Sequence, residues 1–362
     1  MYSRQRCCCV PLPIVIIIGL LIGGCHEQAG RQPGVVEHYP DEVVTKAAQA
    51  VAAFATEVPT VPDEGPNQLL HRYYAIGRDY PIRDGDGQAD TCLTFLFTQA
   101  SSKAIYGLPV LDRQPAGWTF FRPRSSRLRT NHQAHANQFM LLLSADRALE
   151  WSSTYVSLPI PDQPDISLQD LLQSAKAIYH AGTDGSWLLA ALAQMKHEDP
   201  WTNRFGESWS IDSLVQHELA WESLTAPCWG QHRLYGLACA ADQVRDCLAR
   251  GTARSLDDLL AREANEAWGR YDRSGGGFIP HDGPLRDDLQ FSYNAHVLEW
   301  MLACPATLRA VGGARLHDAI LDLADAAATH TDAPTIVRAH AIHALRVYSE
   351  LASGKVGGGN RE

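Results

Sequence analysis

Residues 228–243 read CWGQHRLYGLACAADQ, and a helix drawn through them has no charged face. At 100° per residue, Cys228, His232, Tyr235 and Cys239 share a sector about 60° wide. Leu234, Leu237, Ala238, Ala241, Val244 and Leu248 fall opposite. A helix at a protein surface shows one apolar stripe and one polar face. This one has two apolar sides and must be enclosed on both. Gly236 and Ala240 on the first side permit a close neighbour. Residues 287–304 behave the same way, with Phe291, Ala295, Leu298 and Leu302 on one stripe and Tyr293, His296, Val297 and Trp300 on another. Helices buried on two faces require an inner layer wrapped by an outer one. Joined by short turns, they predict an all-α fold, an α/α toroid of helical hairpins in two concentric layers. A plain helical array is the alternative.

Other stretches supply the remaining helices: 41–58, 89–107, 131–146, 167–180, 186–197, 210–221, 255–271, 314–330 and 334–352. Ser167, Ser210 and Ser255 precede apolar-periodic runs and have Asp170, Asp212 and Asp258 in the first turn, as N-caps do. Pro334 suits a first turn. Residues 108–130 and 147–166 read as surface excursions or a short hairpin. No linker divides residues 41–352, which are expected to form a single domain, and 353–362 are expected to form a disordered tail.

The first 24 residues read as a signal peptide. Arg4 and Arg6 precede an apolar run from Val10 to Ile22, too short and broken for a membrane span. The run ends Leu21-Ile22-Gly23-Gly24-Cys25. This resembles the bacterial lipobox, which implies cleavage before Cys25 and acylation of its sulfur; an ordinary signal peptide is the alternative. Stable attachment to a bilayer needs more than one acyl chain, and the lipoprotein pathway supplies that. His26 at the second position favours outer-membrane retention in that family. Residues 25–40 are polar with Gly and Pro and read as a tether. The expected location is the cell envelope, with the body on the periplasmic or outer-membrane face.

Of 31 basic and 41 acidic residues, cleavage removes only Arg4 and Arg6, so the net charge moves from −10 to −12. A nucleic-acid partner requires a basic surface and is excluded. Beside Cys25, the mature chain keeps Cys92, Cys228, Cys239, Cys247 and Cys304. Cys239 and Cys247, eight residues apart in one predicted helix, would lie about 12 Å apart and cannot pair. The set reads as small buried apolar residues rather than a disulfide framework.

The stretches DGSW (184–187) and YDRSGGGF (271–278) resemble the Asp-Gly turns of terpenoid-cyclase and prenyltransferase toroids. WTNRFGESWSIDSLVQ (201–216), followed by CWGQHRLYGLACA (228–240), is similar to an uncharacterised family of bacterial toroid proteins with Cys-Gly-Gly-Thr-His at that place. The likeness spans residues 130–350 and implies the toroid fold but no activity. Trp229 and Gln231 depart from that pattern.

Terpenoid cyclisation needs an Asp-x-Asp-Asp acid motif or an Asp-Asp-x-x-Asp metal motif, and both are absent. DGDGQAD (84–90) lacks the glutamate of a calcium loop and reads as a solvated turn. Cys228 and His232 share a helix face and could reach one zinc, with His296 as a third ligand. A Cys228–His232 nucleophile at a helix start is another reading. Packing is the reading preferred over both, so no cofactor is expected. The inner-face cluster is Cys228, His232, Tyr235 and His296. Carbohydrate chemistry is the strongest enzymatic alternative. Trp201, Trp209, Trp221 and Trp229 could stack sugars, and Glu207, Asp212, Asp287 and Asp288 could supply paired carboxylates. The pairs His132/His135 and His340/His343 have helical spacing, and each alone is more often solvated or packed. The expectation is therefore a membrane-anchored binding or scaffold module, its partner an envelope protein or a glycan.

Overall fold

The computed structural model describes residues 37–61, 63–77, 80–84, 86–97, 111–114, 117–120, 140–141, 168–197, 199–221 and 227–354. The signal peptide, Cys25, most of the tether, His132, His135, Ser167 and the tail beyond 354 lie outside them, as do most of the helices expected at 89–107 and 131–146.

The described body, within a unit that begins at Val35, is mostly helical. In chain order it contains α1 (Asp41–Ala55), α2 (Pro66–Ile76), α3 (Cys92–Phe97), α4 (Leu168–Ile178), α5 (Ser186–Gln194), α6 (Ile211–Leu219), α7 (Gln231–Gln243), α8 (Arg250–Gly269), α9 (Asp287–Ala303), α10 (Ala306–Arg309), α11 (Ala314–Thr329) and α12 (Thr335–Ala352). Four antiparallel hairpins punctuate them: β1 (Pro81–Arg83) with β2 (Ala89–Thr91), β3 (Leu111–Gln114) with β4 (Gly117–Phe120), β5 (Trp201–Thr202) with β6 (Ser208–Trp209), and β7 (Tyr271–Asp272) with β8 (Gly277–Phe278). The hairpin anticipated within 108–130 is thus present. Among the described residues no helix is long and apolar enough to cross a membrane.

Five helices neighbour one another in the order α2, α12, α9, α7, α5. The others pack outside this series: α1 against α12 and α11, α11 against α12 and α9, α8 against α7 and α6, and α6 and α4 against α5. Burial differs between the two sets of helices. α7 is buried from Gln231 through Ala241, and α9 buries both of the stripes read from its sequence. In α8 one stripe is buried, through Leu256, Leu260, Ala264 and Ala267, while Arg254, Asp258 and Arg262 face solvent. The close approach expected at Gly236 is present: a Cβ there would stand 2.5 Å from the Ser186 carbonyl oxygen of α5.

Local chemistry explains several ends. Ser210 caps α6, its hydroxyl accepting from the Ser213 N–H at 3.1 Å. Asp184 caps α5 through the Ser186 N–H at 3.0 Å, and Asp272 closes the YDRSGGGF turn by accepting from the Ser274 N–H. Asp84 accepts from Asp86 and Gln88 N–H groups in the β1–β2 connection, the expected polar turn.

Four readings are corrected. α2 was not anticipated, because Asn67, His71 and Arg72 are buried and break its apolar pattern. α8 begins at Arg250, so Ser255 lies inside it and is no N-cap. α7 ends at Gln243, where the β-branched Val244 turns to φ −131°. Cys247 therefore sits in a separate short turn and does not share a helix with Cys239. Finally, α7 starts at Gln231, so Cys228 precedes it. No disulfide joins any two of the five described cysteines; three are buried, and Cys228 and Cys247 are half-buried.

Candidate functional site

The turn entering α7 is the most constrained backbone in the body. Cys228 (φ 52°, ψ 40°), Trp229 (φ 55°, ψ 26°) and Gly230 (φ 74°, ψ 3°) are consecutively left-handed. That conformation costs an ordinary L-residue roughly 1–2 kcal/mol, and two of these three are not glycine. Gln231 pins the turn: its Nε2 donates to the Trp229 carbonyl at 3.2 Å, and its Oε1 accepts from Trp300 Nε1 at 2.7 Å. Trp229 stands edge-on to Tyr293, with centroids 5.4 Å apart. The helical-wheel position of Cys228 is thereby wrong, yet the turn still returns its sulfur toward the inner face of α7. There the Cys228 sulfur and one ring nitrogen each from His232 and His296 lie within 4.8 Å of one another.

These residues belong to a larger buried cluster to which all five of the neighbouring helices contribute. His232 packs against Trp187 of α5 (4.7 Å between centroids), His296 of α9 (4.7 Å) and His340 of α12 (5.2 Å). His296 and His340 are 4.0 Å apart. From α2, His71 reaches His340 at 5.1 Å, and Tyr74 stacks on His343 at 3.8 Å. Tyr235, the remaining member of the sequence-read cluster, lies 5.8 Å from Trp187 and 6.0 Å from His343.

Hydrogen bonds fix several of the imidazoles. His296 Nδ1 lies 2.8 Å from the Ser292 carbonyl, which can only accept, so Nδ1 carries the proton and Nε2 presents a lone pair. That Nε2 is buried and has no nitrogen or oxygen partner. Burial works against a charge on His296, but Cys228, Glu299 and the Ser292 carbonyl together outweigh it, and its pKa is raised. Glu299, buried among these rings, accepts from His340 Nδ1 at 2.8 Å and from His343 Nδ1 at 2.9 Å. Burial pushes the His343 pKa down to about 4, against the opposing pull of Glu299. His296, Glu299 and His340 form a second group whose ligand-type atoms lie within 4.8 Å of one another.

The carboxylates named from sequence are placed differently. Glu207 accepts from Asn203 Nδ2 at 2.7 Å, Trp209 Nε1 at 3.2 Å and the Ala181 N–H at 3.2 Å. These bonds outweigh desolvation and hold it below the usual carboxylate range. Asp212 accepts from Gln216 and from the Ala249 N–H, tying α6 to the start of α8. Asp287 lines a cavity of about 310 Å³ between the β7–β8 hairpin, α9 and α11. Asp288 faces Arg286 at 3.7 Å. Trp221 and Trp229 do share a cavity, of about 450 Å³, with Tyr293, Trp300, Arg262 and Arg270.

Sequence reasoning joined Cys228, His232, Tyr235 and His296 but missed Glu299, His71, Tyr74 and Trp187. A usable signal existed for Glu299: it is the one charged residue in Val297-Leu298-Glu299-Trp300-Met301-Leu302, and such a carboxylate requires a buried partner. His340 and His343 were set aside as a solvated or packed pair; both are packed, three residues apart on α12, around that same carboxylate. Comparison with family profiles, curated proteins and solved structures found no match.

Proposed function

We propose that this chain is a lipid-anchored protein of the bacterial envelope, folded as an α/α toroid and working as a binding or scaffold module. The observation that carries the reading is the convergence of α2, α12, α9, α7 and α5 on one cluster. Five helices in neighbour order, all sending side chains to one cluster, support the reading of an inner wall, and the packing of α1, α11, α8, α6 and α4 outside them supports the reading of an outer one. The full burial of Tyr74 and Trp187 at this cluster supports a packed interior over an open cleft.

The anchor is tested by fatty-acid labelling. Wild-type protein takes up label and partitions with membranes, and Cys25→Ser takes up none and stays unprocessed. The ring is tested by small-angle scattering of the body released from the membrane. A compact body of this length has a radius of gyration of about 20 Å; a clearly larger value, as from an open helical array, rejects the toroid.

A carbohydrate-active role is the second reading, favoured by the cavity that Trp221 and Trp229 share with Arg262 and Arg270. Sugar rings stack on such aromatic faces while guanidinium groups meet the hydroxyls. Quenching of tryptophan fluorescence by envelope oligosaccharides, abolished in Trp221→Ala, supports it; no quenching removes it.

A further inference from the structure

Three observations at the entrance of α7 point to a ligand of one chemical class. First, the donor set is one thiol and two imidazoles, with all three donor atoms within 4.8 Å of one another. A tetrahedral zinc with bonds of 2.0–2.1 Å to nitrogen and 2.3 Å to sulfur holds its ligands about 3.3–3.6 Å apart. Side-chain shifts of about an ångström convert the observed spacing into that one. Second, His296 is 3% exposed, and its Nδ1–H is already committed to the Ser292 carbonyl. Its Nε2 is left as a buried acceptor without a nitrogen or oxygen partner. The Cys228 thiol is its hydrogen-bonding neighbour there, and a backbone carbonyl on the far nitrogen is how metal-ligating histidines are oriented. Third, the left-handed pair Cys228–Trp229 is unfavourable in isolation and has the effect of bringing a sulfur to this nitrogen.

We infer that Cys228, His232 and His296 bind a zinc ion through one sulfur and two ring nitrogens, with Glu299 and His340 as outer partners. On binding, the Cys228 S–H bond breaks, its proton leaves to solvent, and the sulfur electron pair forms the bond to zinc. Each imidazole binds through an unprotonated ring nitrogen, and any proton held there leaves to solvent as the nitrogen–zinc bond forms. The zinc–thiolate unit retains a single positive charge, and the buried Glu299 carboxylate, linked to the site through His340, offsets it. Sulfur with imidazole suits zinc and not calcium or magnesium, which take oxygen ligands. The site needs only the packing of α7 against α9, so it stands or falls separately from the anchor and from closure of the ring.

The test uses the full-length chain, purified in detergent without a polyhistidine tag. Elemental analysis is expected to find about one zinc per chain, lost in Cys228→Ser and in His296→Gln but retained in Cys239→Ser and Cys304→Ser. Chelated protein reloaded with cobalt(II) is expected to show a near-ultraviolet sulfur-to-cobalt charge-transfer band that Cys228→Ser abolishes while keeping the helical circular dichroism of the parent. This second readout stays decisive if His296→Gln fails to fold. Absence of zinc together with absence of the cobalt band overturns the inference. So does zinc that persists in Cys228→Ser, or stoichiometric copper in place of zinc. If Cys25→Ser loses its fatty acid yet keeps zinc, the site stands whatever the body's location.

Discussion

α7 and α8 follow one another in the chain, and both carry polar residues along their length. On α8, Arg254, Asp258 and Arg262 lie in solvent beside a single buried stripe. On α7, Gln231, His232 and Arg233 are all buried. Polar residues therefore carry different meaning in the fully buried helix and in the half-exposed one. An outer polar residue is hydrated and nearly neutral for stability. An inner one must find a specific partner, so the inner layer collects interlocked histidines, a glutamate and a cysteine. The lesson is that the layer a helix occupies, more than its composition, decides which side chains bear on chemistry.

The sharpest way to break this contrast is Glu299→Ala. It strips the shared acceptor from His340 and His343, and removing one partner of a buried charged set costs about 3–5 kcal/mol. Chemical denaturation of the variant should show that loss; a cost below 1 kcal/mol would contradict the buried network. Next in size is a pH effect from His343. Its folded pKa, near 4, lies below the ordinary value of 6.5. Between those values the unfolded chain holds the extra proton, so stability rises with pH. The contribution is complete above about pH 6.5 and is lost as pH falls toward 4, on the order of 2–3 kcal/mol. Urea midpoints measured across that window should fall in the wild type and flatten in His343→Gln.

Two glycines make the smaller comparison. Gly236→Ala on α7 places a methyl against the Ser186 backbone and should destabilise by about 1–3 kcal/mol. Gly251→Ala on α8 meets nothing within 4 Å and should stabilise by about 0.4–1 kcal/mol. Opposite signs in thermal melts are the expected result; equal signs would dissolve the distinction between the layers.

Sequence showed the layers wherever burial was apolar. The two stripes of α9 and the small-residue contact at Gly236 were readable because period and size carry that information directly. What escaped had physical reasons. α2 hides behind buried Asn67, His71 and Arg72, which break its apolar period: Arg72 meets Glu64 just ahead of the helix at 2.5 Å and His71 packs on the distant His340. The start of α7 escaped because Cys228 and Trp229 are left-handed without being glycine or asparagine, so no residue type announces the turn. His232 and His296 were recognisable by helical spacing, whereas Glu299 and the α12 histidines acquire their role only when α9 and α12 meet.

The contacts of α12 govern the order in which the molecule can assemble. Arg338 pairs with Glu57 across 281 residues, Arg346 Nε donates to the Ala75 carbonyl across 271, and nearby Arg309 grips Glu37 across 272. Among the described helices, α1 and α2 thus find much of their packing surface in α12. Loops of that length close late and slowly, so an emerging N-terminal half has no wall against which to settle. The same dependence makes loss of α12 as damaging to α1 and α2 as to α12 itself.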